Sequence, residues 1–457
     1  RLCRSHLCFR VRTMRAASTA WCRCRPAAKR CLHTAARAVH AGVPWVPPGS
    51  QQAHSAELHF AESERPRRSG RRSPRVHLAA SDLQRLGAEI DELVTSQSAS
   101  QEVTNRRDVF ISELRRHIEA ELPVGTRLVP FGSVASGLWL AGSDLDLSVE
   151  TPSVSGRIEA KQMLKRVGTI IHRLTGERPE LRLRATVPIL RWEPARRGAP
   201  SCDVSVNNSL AIVNSRLISA YVAADSRLRS LALVLKIWAR ARRINDRSRG
   251  TLSSFAITLM LINFLQRLKL LPSLQALAVH RGEPQCEVLG YDCRFTDEPA
   301  VITEAMERLR EASAEIPLAN CVGALLFGFL RYFGAEYRGG IVSIREDPGR
   351  VGEARQEYSK GGEAGDGGGH SGQSFGDAAD TFFFVENPFE PGRDVANVDV
   401  GQVVRIREEF RRAHRHIRHG RSLLDLCEAS ACSDEDDMRT ARASGPRSGG
   451  SLGHTKL

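Results

Sequence analysis

The chain has 457 residues, 41% of them hydrophobic and 26% charged. These are ordinary proportions for a globular protein, at a length that suits two compact domains with unstructured ends. A net charge of +14 calls for an anionic partner without choosing among nucleic acid, nucleotide and membrane surface. The 6% aromatic content speaks against base-stacking repeats, no apolar run is long enough to span a membrane, and eleven cysteines without a CxxC pair argue against zinc sites and a disulfide framework.

From Arg1 to Ala56 there is no Asp or Glu, while Arg4, Arg10, Arg12, Arg15, Arg23 and Arg25 stand among Ala, Ser, Leu and Cys. That texture is transit-peptide-like and predicts a mitochondrial location. A basic disordered arm on a cytoplasmic protein is the alternative. With the Pro/Ser/Gly/Arg-rich stretch that follows, residues 1–79 read as leader and linker.

Order is expected to begin at an N-cap on Ser81–Asp82, with Leu83, Leu86, Ile90 and Leu93 at helical spacing. A second helix is read from Val109, Ile111, Leu114 and Ile118, ending near Pro123 and Gly125. Short strands follow at Leu128–Phe131, Leu145–Val149, Val187–Trp192 and Cys202–Val206, with a helix over about 157–174 among them. From Asn208 to Leu271 the pattern is helical, including the runs Leu228–Arg243 and Phe255–Leu268. Helix continues over 300–335, then a strand at Ile341–Ile344. Residues 346–380, Gly-rich and polar, read as a disordered insertion. Order returns at Phe382–Glu390 and in a helix over Val400–His416. Residues 421–457 read as a tail, whose acidic run Ser433–Asp437 is a solvated stretch rather than a metal site.

This is an α+β, bilobed pattern. A catalytic domain is expected over 105–206 and a mostly helical lobe from 80–104 and 207–420, with a cleft between them.

The chemistry concentrates in Phe131-Gly132-Ser133 and Gly142-Ser143-Asp144-Leu145-Asp146. Side chains two apart on a strand leave the same face, so Asp144 and Asp146 form a carboxylate pair. Like charges repel, and the arrangement becomes favourable when divalent cations sit between them. Gly132-Ser133 supplies a turn whose N–H groups and hydroxyl can cradle phosphate. A third acid is expected on a neighbouring strand, and Asp203, between Cys202 and Val204, fits. Taken singly, each piece has a bland reading: an exposed strand edge, a turn, a surface acid. The ordered series is what carries the chemistry.

Gly132-Ser133, Asp144-Leu145-Asp146 and Asp203 together resemble the catalytic signature of the DNA polymerase β-like nucleotidyltransferases. Within them the chain is similar to the terminal uridylyltransferases and noncanonical poly(A) polymerases, over roughly residues 80–416. The resemblance implies a polymerase β-like sheet lobe and a lobe with a poly(A)-polymerase-associated region (about 320–400). It implies two Mg²⁺ or Mn²⁺ ions on Asp144, Asp146 and Asp203, with Asp203 aiding deprotonation of an attacking RNA 3′-hydroxyl. It places ribose on Asn214 and Ser215, phosphates on Lys236 and Arg240, which share a helix face, phosphate and base on Ser254 and Phe255, and base reading on Asn387 and Glu390. Three positions depart from the family pattern: Arg240 for Lys, Phe255 for Tyr, and Asn387 where uridylyltransferases commonly carry Asp. Some of those enzymes also carry His at the place of Arg393.

The implied activity is template-independent addition to a single-stranded RNA 3′ end, with UTP as the nucleotide and ATP as the competitor. A catalytically inactive RNA-binding scaffold is the reading from a different class. The expected protein is a monomer that does not engage membrane. It shows no RRM aromatic signature, KH loop or zinc finger, so RNA would be held by the cleft's own basic residues and its specificity could come from a protein partner.

Overall fold

The structure is a computed structural model that describes residues 78–185, 187–195, 200–312, 321–346 and 383–427. The leader-like segment, the Gly-rich insertion and the acidic run lie outside the described residues.

Helix α1 (Ala80–Gln97) buries Leu83, Leu86, Ile90 and Leu93. Its cap is Ala79, which makes no side-chain cap bond; the expected cap pair has moved inside, and Asp82 sits in the first turn, where a carboxylate meets the positive end of the helix. Helix α2 (Gln101–Glu121) is capped by Ser100, whose hydroxyl accepts from Val103 N at 3.3 Å. It buries Ile111, Leu114 and Ile118, whereas Val109 is exposed. Two residues are about 200° of helix rotation, so Val109 cannot share a face with Ile111.

Five strands form one sheet: β1 (Arg127–Phe131), β2 (Leu145–Glu150), β3 (Glu180–Arg182), β4 (Ile189–Trp192) and β5 (Cys202–Val206). Their order is β1-β2-β5-β4-β3, with β2 and β5 parallel and the other neighbours antiparallel. The four-residue α3 (Gly132–Ala135) follows β1, and α4 (Arg157–Thr175) separates β2 from β3 and ends at Gly176 in the left-handed conformation. Strand β3 escapes sequence reading because all three residues are exposed and carry no alternation. The expected strand at Val187 starts two residues later, and Val187 is exposed. Ile111, Leu114 and Ile118 of α2 and Met163, Leu164, Val167, Ile170 and Ile171 of α4 pack with Leu145, Leu147, Val149 and Val204 in one apolar cluster.

A second, larger apolar cluster gathers the helices. After α1 these are α5 (Ser209–Ala224), α6 (Ser226–Ala241), α7 (Ser254–Arg267), α8 (Leu274–His280), α9 (Pro299–Ala312), α10 (Val322–Arg331), α11 (Val400–Arg418) and α12 (Leu423–Cys427). Helix α10 runs on into a π-helical turn, Tyr332–Glu336. Helices α1 and α10 touch closely because position 323 is glycine: a Cβ there would lie 2.1 Å from Leu83 O. A hairpin of β6 (Glu287–Val288) and β7 (Tyr291–Asp292) follows α8, and β8 (Ile341–Val342), β9 (Phe384–Asn387) and β10 (Glu390–Asp394) form a small sheet in the order β10-β9-β8. Strand β8 is shorter than expected because its next carbonyls are taken by side chains: Ser343 O accepts from Asn263 at 2.7 Å, and Ile344 O from Gln266 at 3.2 Å. No helix among the described residues is long and apolar enough to cross a membrane.

Helix α5 leaves β5 after only Asn207 and Asn208, so the strand of the third acid leads directly into the helical lobe. Asn207 adopts φ +50° and clamps the end of β2, accepting from Thr151 N and donating to Thr151 O and Val154 O.

Candidate active site

Leu145, Leu147, Val149, Cys202 and Val204 are all fully buried in the sheet-lobe core. Strand alternation therefore sends Asp146 and Asp203 to the opposite face, and the parallel register sets them side by side. Asp144 stands one residue ahead of β2, outside the strand rather than within it as the spacing predicts. It is still tied to the cluster, because Leu145 N donates to Ser201 O at 2.8 Å and the Ser201 hydroxyl donates to Asp144 Oδ1.

The electrostatics are those of acids held against their preference. Burial, then the charges of Asp203 and Asp144, push the Asp146 carboxyl up to about 7, while Lys236 and the Ser133 N–H pull it back. Burial also raises Asp203, with Arg191 as the main opposing influence. Gly132 is indispensable to this packing. Its φ is +63°, and a Cβ would lie 2.1 Å from Asp146 Oδ2.

The loop after β1 is anchored from α5. Gly132 N donates to Ser215 Oγ at 2.7 Å, and that hydroxyl donates to Ala211 O at 2.7 Å. Ser215 is buried, and its hydroxyl is committed to the loop. Its neighbour Asn214 donates to Asn387 Oδ1 at 3.3 Å, bridging 173 positions of sequence. Asn387 Oδ1 also accepts from Phe389 N at 3.1 Å, and its amide nitrogen donates to Glu390 Oε2. Arg393 donates to Glu390 Oε1. Gln275 on α8 supports this turn by donating to Pro388 O at 2.8 Å.

Lys236 on α6 donates to Ser143 Oγ at 3.1 Å. Burial, and then the neighbouring Arg240, lower it to about 8. Arg240 is exposed one turn further along. Ser253 caps α7 by accepting from Ala256 N at 3.0 Å, while Ser254 and Asn245 exchange hydrogen bonds, Nδ2 to Oγ at 2.9 Å. Phe255 is half-buried against the helical core.

A continuous run of contacts thus joins Asp203, Asp146, Gly132, Ser215 and, through its neighbour Asn214, Asn387, Glu390 and Arg393. Ser133, Asp144 and Lys236 attach to its acidic end. Ser254 and Phe255 sit apart at the start of α7. Sequence reasoning missed Ser143, Ser201, Asn245 and Arg191. Ser143 and Ser201 were findable as hydroxyls beside a named acid or its partner strand; a lone arginine in a short strand gives no signal.

The donor set suits a hard divalent cation: it is all oxygen, Asp146 is destabilised by its like-charged neighbours, and Asp203 Oδ1 is buried with no hydrogen-bond partner among the described residues. Among the described residues no three His, Cys, Asp or Glu side chains close into a ready-made metal cage. Arg191 stands between two of the acids, with Nη1 3.6 Å from Asp203 Oδ2 and Nη2 3.6 Å from Asp144 Oδ2.

Comparison with known proteins agrees with this geometry. Residues 86–223 match the model of the central palm domain of the mitochondrial-like poly(A) RNA polymerases. The chain is 36% identical over 263 residues to the poly(A) RNA polymerase GLD2-B of Xenopus laevis, covering 55% of this chain and 48% of that one. It is 29% identical over 365 residues to the poly(A) RNA polymerase cid13 of Schizosaccharomyces pombe, covering 76% and 55%. To the human terminal uridylyltransferase 4 it is 31% identical over 249 residues, covering 53% and 15%. The chain thus spans about half the length, or less, of these curated relatives. Among solved structures, the Cid1 poly(U) polymerase superimposes with a TM-score of 0.58 at 25% identity, over 76% of this chain and 98% of that one. Palm domain, sheet order, acid register and superposition converge: the chain has the polymerase β-like nucleotidyltransferase fold and is similar to the noncanonical poly(A) polymerases and terminal uridylyltransferases.

Proposed function

We propose that this protein adds nucleotides, without a template, to the 3′ end of single-stranded RNA. The observation that carries the reading is the pairing of Asp146 with Asp203 on parallel strands, beside Asp144 and under a loop pinned by Ser215. Asp144, Asp146 and Asp203 would hold two Mg²⁺ or Mn²⁺ ions. When bound, those ions supply charge neutralisation for the triphosphate and activation of the attacking hydroxyl.

The chain's own residues do the rest. Asp203, with one carboxylate oxygen unengaged, receives the proton of the RNA 3′-hydroxyl. The 3′-oxygen bonds to the α-phosphorus, the α–β bridging P–O bond breaks, and pyrophosphate leaves. Lys236, lowered to about 8 and oriented by Ser143, remains mostly cationic at neutral pH and with Arg240 balances phosphate charge. Ser133 presents its backbone N–H to Asp146, while that of Gly132 is held by the Ser215 hydroxyl.

UTP is the nucleotide we favour. The Watson–Crick edge of uracil runs acceptor, donor, acceptor. Glu390, an acceptor flanked by the donors of Arg393 and Asn387, offers the complementary order. ATP is the second reading. Asn387 carries an amide where a carboxylate would favour uracil, and relatives named as poly(A) RNA polymerases are among the matches.

Primer extension tests the proposal: labelled single-stranded RNA, Mg²⁺ or Mn²⁺, and each nucleoside triphosphate separately. Extension chiefly with UTP is expected. Extension chiefly with ATP would transfer the assignment to poly(A) addition. A folded protein that extends with none of the four would return the chain to the RNA-binding scaffold reading.

A further inference from the structure

Strand β4 delivers to the acid cluster a cation that the reaction just described does not use. Arg191 lies opposite Asp203 in the β4–β5 register. Its Nε donates to Glu193 Oε1 at 2.7 Å, while its two terminal nitrogens stand 3.6 Å from Asp203 Oδ2 and Asp144 Oδ2. The outer contact is a hydrogen bond; the inner two are ion pairs beyond hydrogen-bond reach. The Glu193 side chain is 66% exposed and that of Arg191 24%, so the guanidinium is fastened at the rim and leans inward.

We propose that Arg191 is a resident counter-cation for Asp144 and Asp203 that divalent ions displace when they bind, with Glu193 retaining the guanidinium as it withdraws. The inference rests on the metal reading above. Three carboxylates gathered on one sheet face repel one another, and a protein folded without metal needs positive charge there. Arginine can supply it and cannot shed its proton, so it cannot yield the site by neutralising. It can yield by moving, because it grips neither acid through the two-pronged hydrogen-bonded pairing that would hold it fast. A guanidinium and a divalent ion on the same two carboxylates repel each other, so the residue that steadies the metal-free protein opposes metal entry. Glu193 sets how far it opposes, since each increment of rim pairing draws charge away from the acids.

The test uses the full chain, freed of metal by a chelator and titrated with Mn²⁺. Free Mn²⁺ is read by electron paramagnetic resonance, with thermal unfolding followed in parallel. Arg191→Gln is expected to bind Mn²⁺ roughly tenfold more tightly than wild type and to melt at a lower temperature without metal, the gap closing at saturating Mn²⁺. Glu193→Gln is expected to move the other way, binding Mn²⁺ severalfold more weakly, because the released guanidinium turns to the inner acids. Opposite signs in the two variants are the signature. Unchanged or weaker Mn²⁺ binding in Arg191→Gln overturns the proposal, weaker binding meaning that the arginine orients the acids rather than competing for them. Should Arg191→Gln fail to fold even with Mn²⁺, Glu193→Gln decides, and binding equal to or tighter than wild type overturns the idea. A wild-type protein that takes up no Mn²⁺ overturns the metal reading itself, and the displacement with it.

Discussion

The two ends of the candidate site are built on opposite terms. At the sheet end, Asp146 is pushed toward neutrality by burial and by Asp203 and Asp144, and Asp203 keeps a buried oxygen without a partner among the described residues. At the small-sheet end, Asn387 spends its amide on Asn214, Phe389 and Glu390, and Glu390 is held by Arg393. One end stores repulsion that a ligand relieves. The other is a hydrogen-bonded polar network, with Asn214 Oδ1 buried and unpartnered among the described residues, which a ligand must match. Chemistry is expected to depend on the first and nucleotide choice on the second.

The sharpest way to break this contrast is Asp146→Ala. It should lower nucleotide addition by roughly 10³-fold or more while circular dichroism and thermal unfolding show an intact fold. Retained activity would remove Asp146 from the chemistry.

Gly132→Ala comes next. Its methyl group would collide with Asp146 Oδ2 at a positive φ. We expect a stability loss of about 1–3 kcal/mol by denaturant titration and an activity loss of about 100-fold, since the carboxylate must move. An unimpaired variant would mean that the tight approach is irrelevant to the site.

Asn387→Asp probes the small-sheet end. It should raise the use of UTP relative to ATP by about tenfold, as one charge-assisted contact to the uracil N3–H would. An unchanged ratio would place base choice elsewhere.

The smallest effect is in pH. Asp146 titrates near 7 when folded against 3.8 as a free side chain, so between those values the folded state holds a proton that the unfolded chain has released. Its contribution to stability is present at low pH and is lost as pH rises through about 7. In chelator, wild type should therefore lose melting temperature relative to Asp146→Asn as pH rises over that window, a comparison that cancels the opposite slope of His414, lowered to about 4 chiefly by burial. Lys236, lowered to about 8 from 10.5, acts in a higher window and does not offset it. Wild-type and Asp146→Asn curves that run parallel from about pH 4 to about 7 would contradict the burial and repulsion assigned to this end.

How much of this was legible in the chain follows the strength of each local signal. Strand β5 reads correctly at both ends because Cys202, Val204 and Val206 alternate with Asp203 and Ser205. The helical run of α1 is plain, but its start slips by two residues because the cap is an alanine, which carries no cap chemistry. Strand β3 is exposed throughout and has no pattern to find. The acid pair is visible as a motif in Gly142-Ser143-Asp144-Leu145-Asp146, but Asp144 stands ahead of β2 and is tied to the cluster by Ser201 rather than by strand alternation. Arg191 could not be found that way, because its meaning lies in which strand β4 pairs with. The hydroxyl of Ser215 likewise finds its use, 83 positions from Gly132, only when α5 packs under the loop.

That last bond has a mechanical consequence. Gly132 belongs to the loop that faces the acids, while Ser215 rides on α5, whose Leu217, Ile218 and Tyr221 are sunk in the helical core. Any swing of the helical lobe that carries α5 must either part this 2.7 Å contact or drag the loop along. In the proposed reaction, any opening for pyrophosphate or closing on a triphosphate would then be coupled to the shape of the loop. One hydroxyl group thus couples the helical core to the backbone beside the acids, and its reach limits how far α5 can move before that backbone is released.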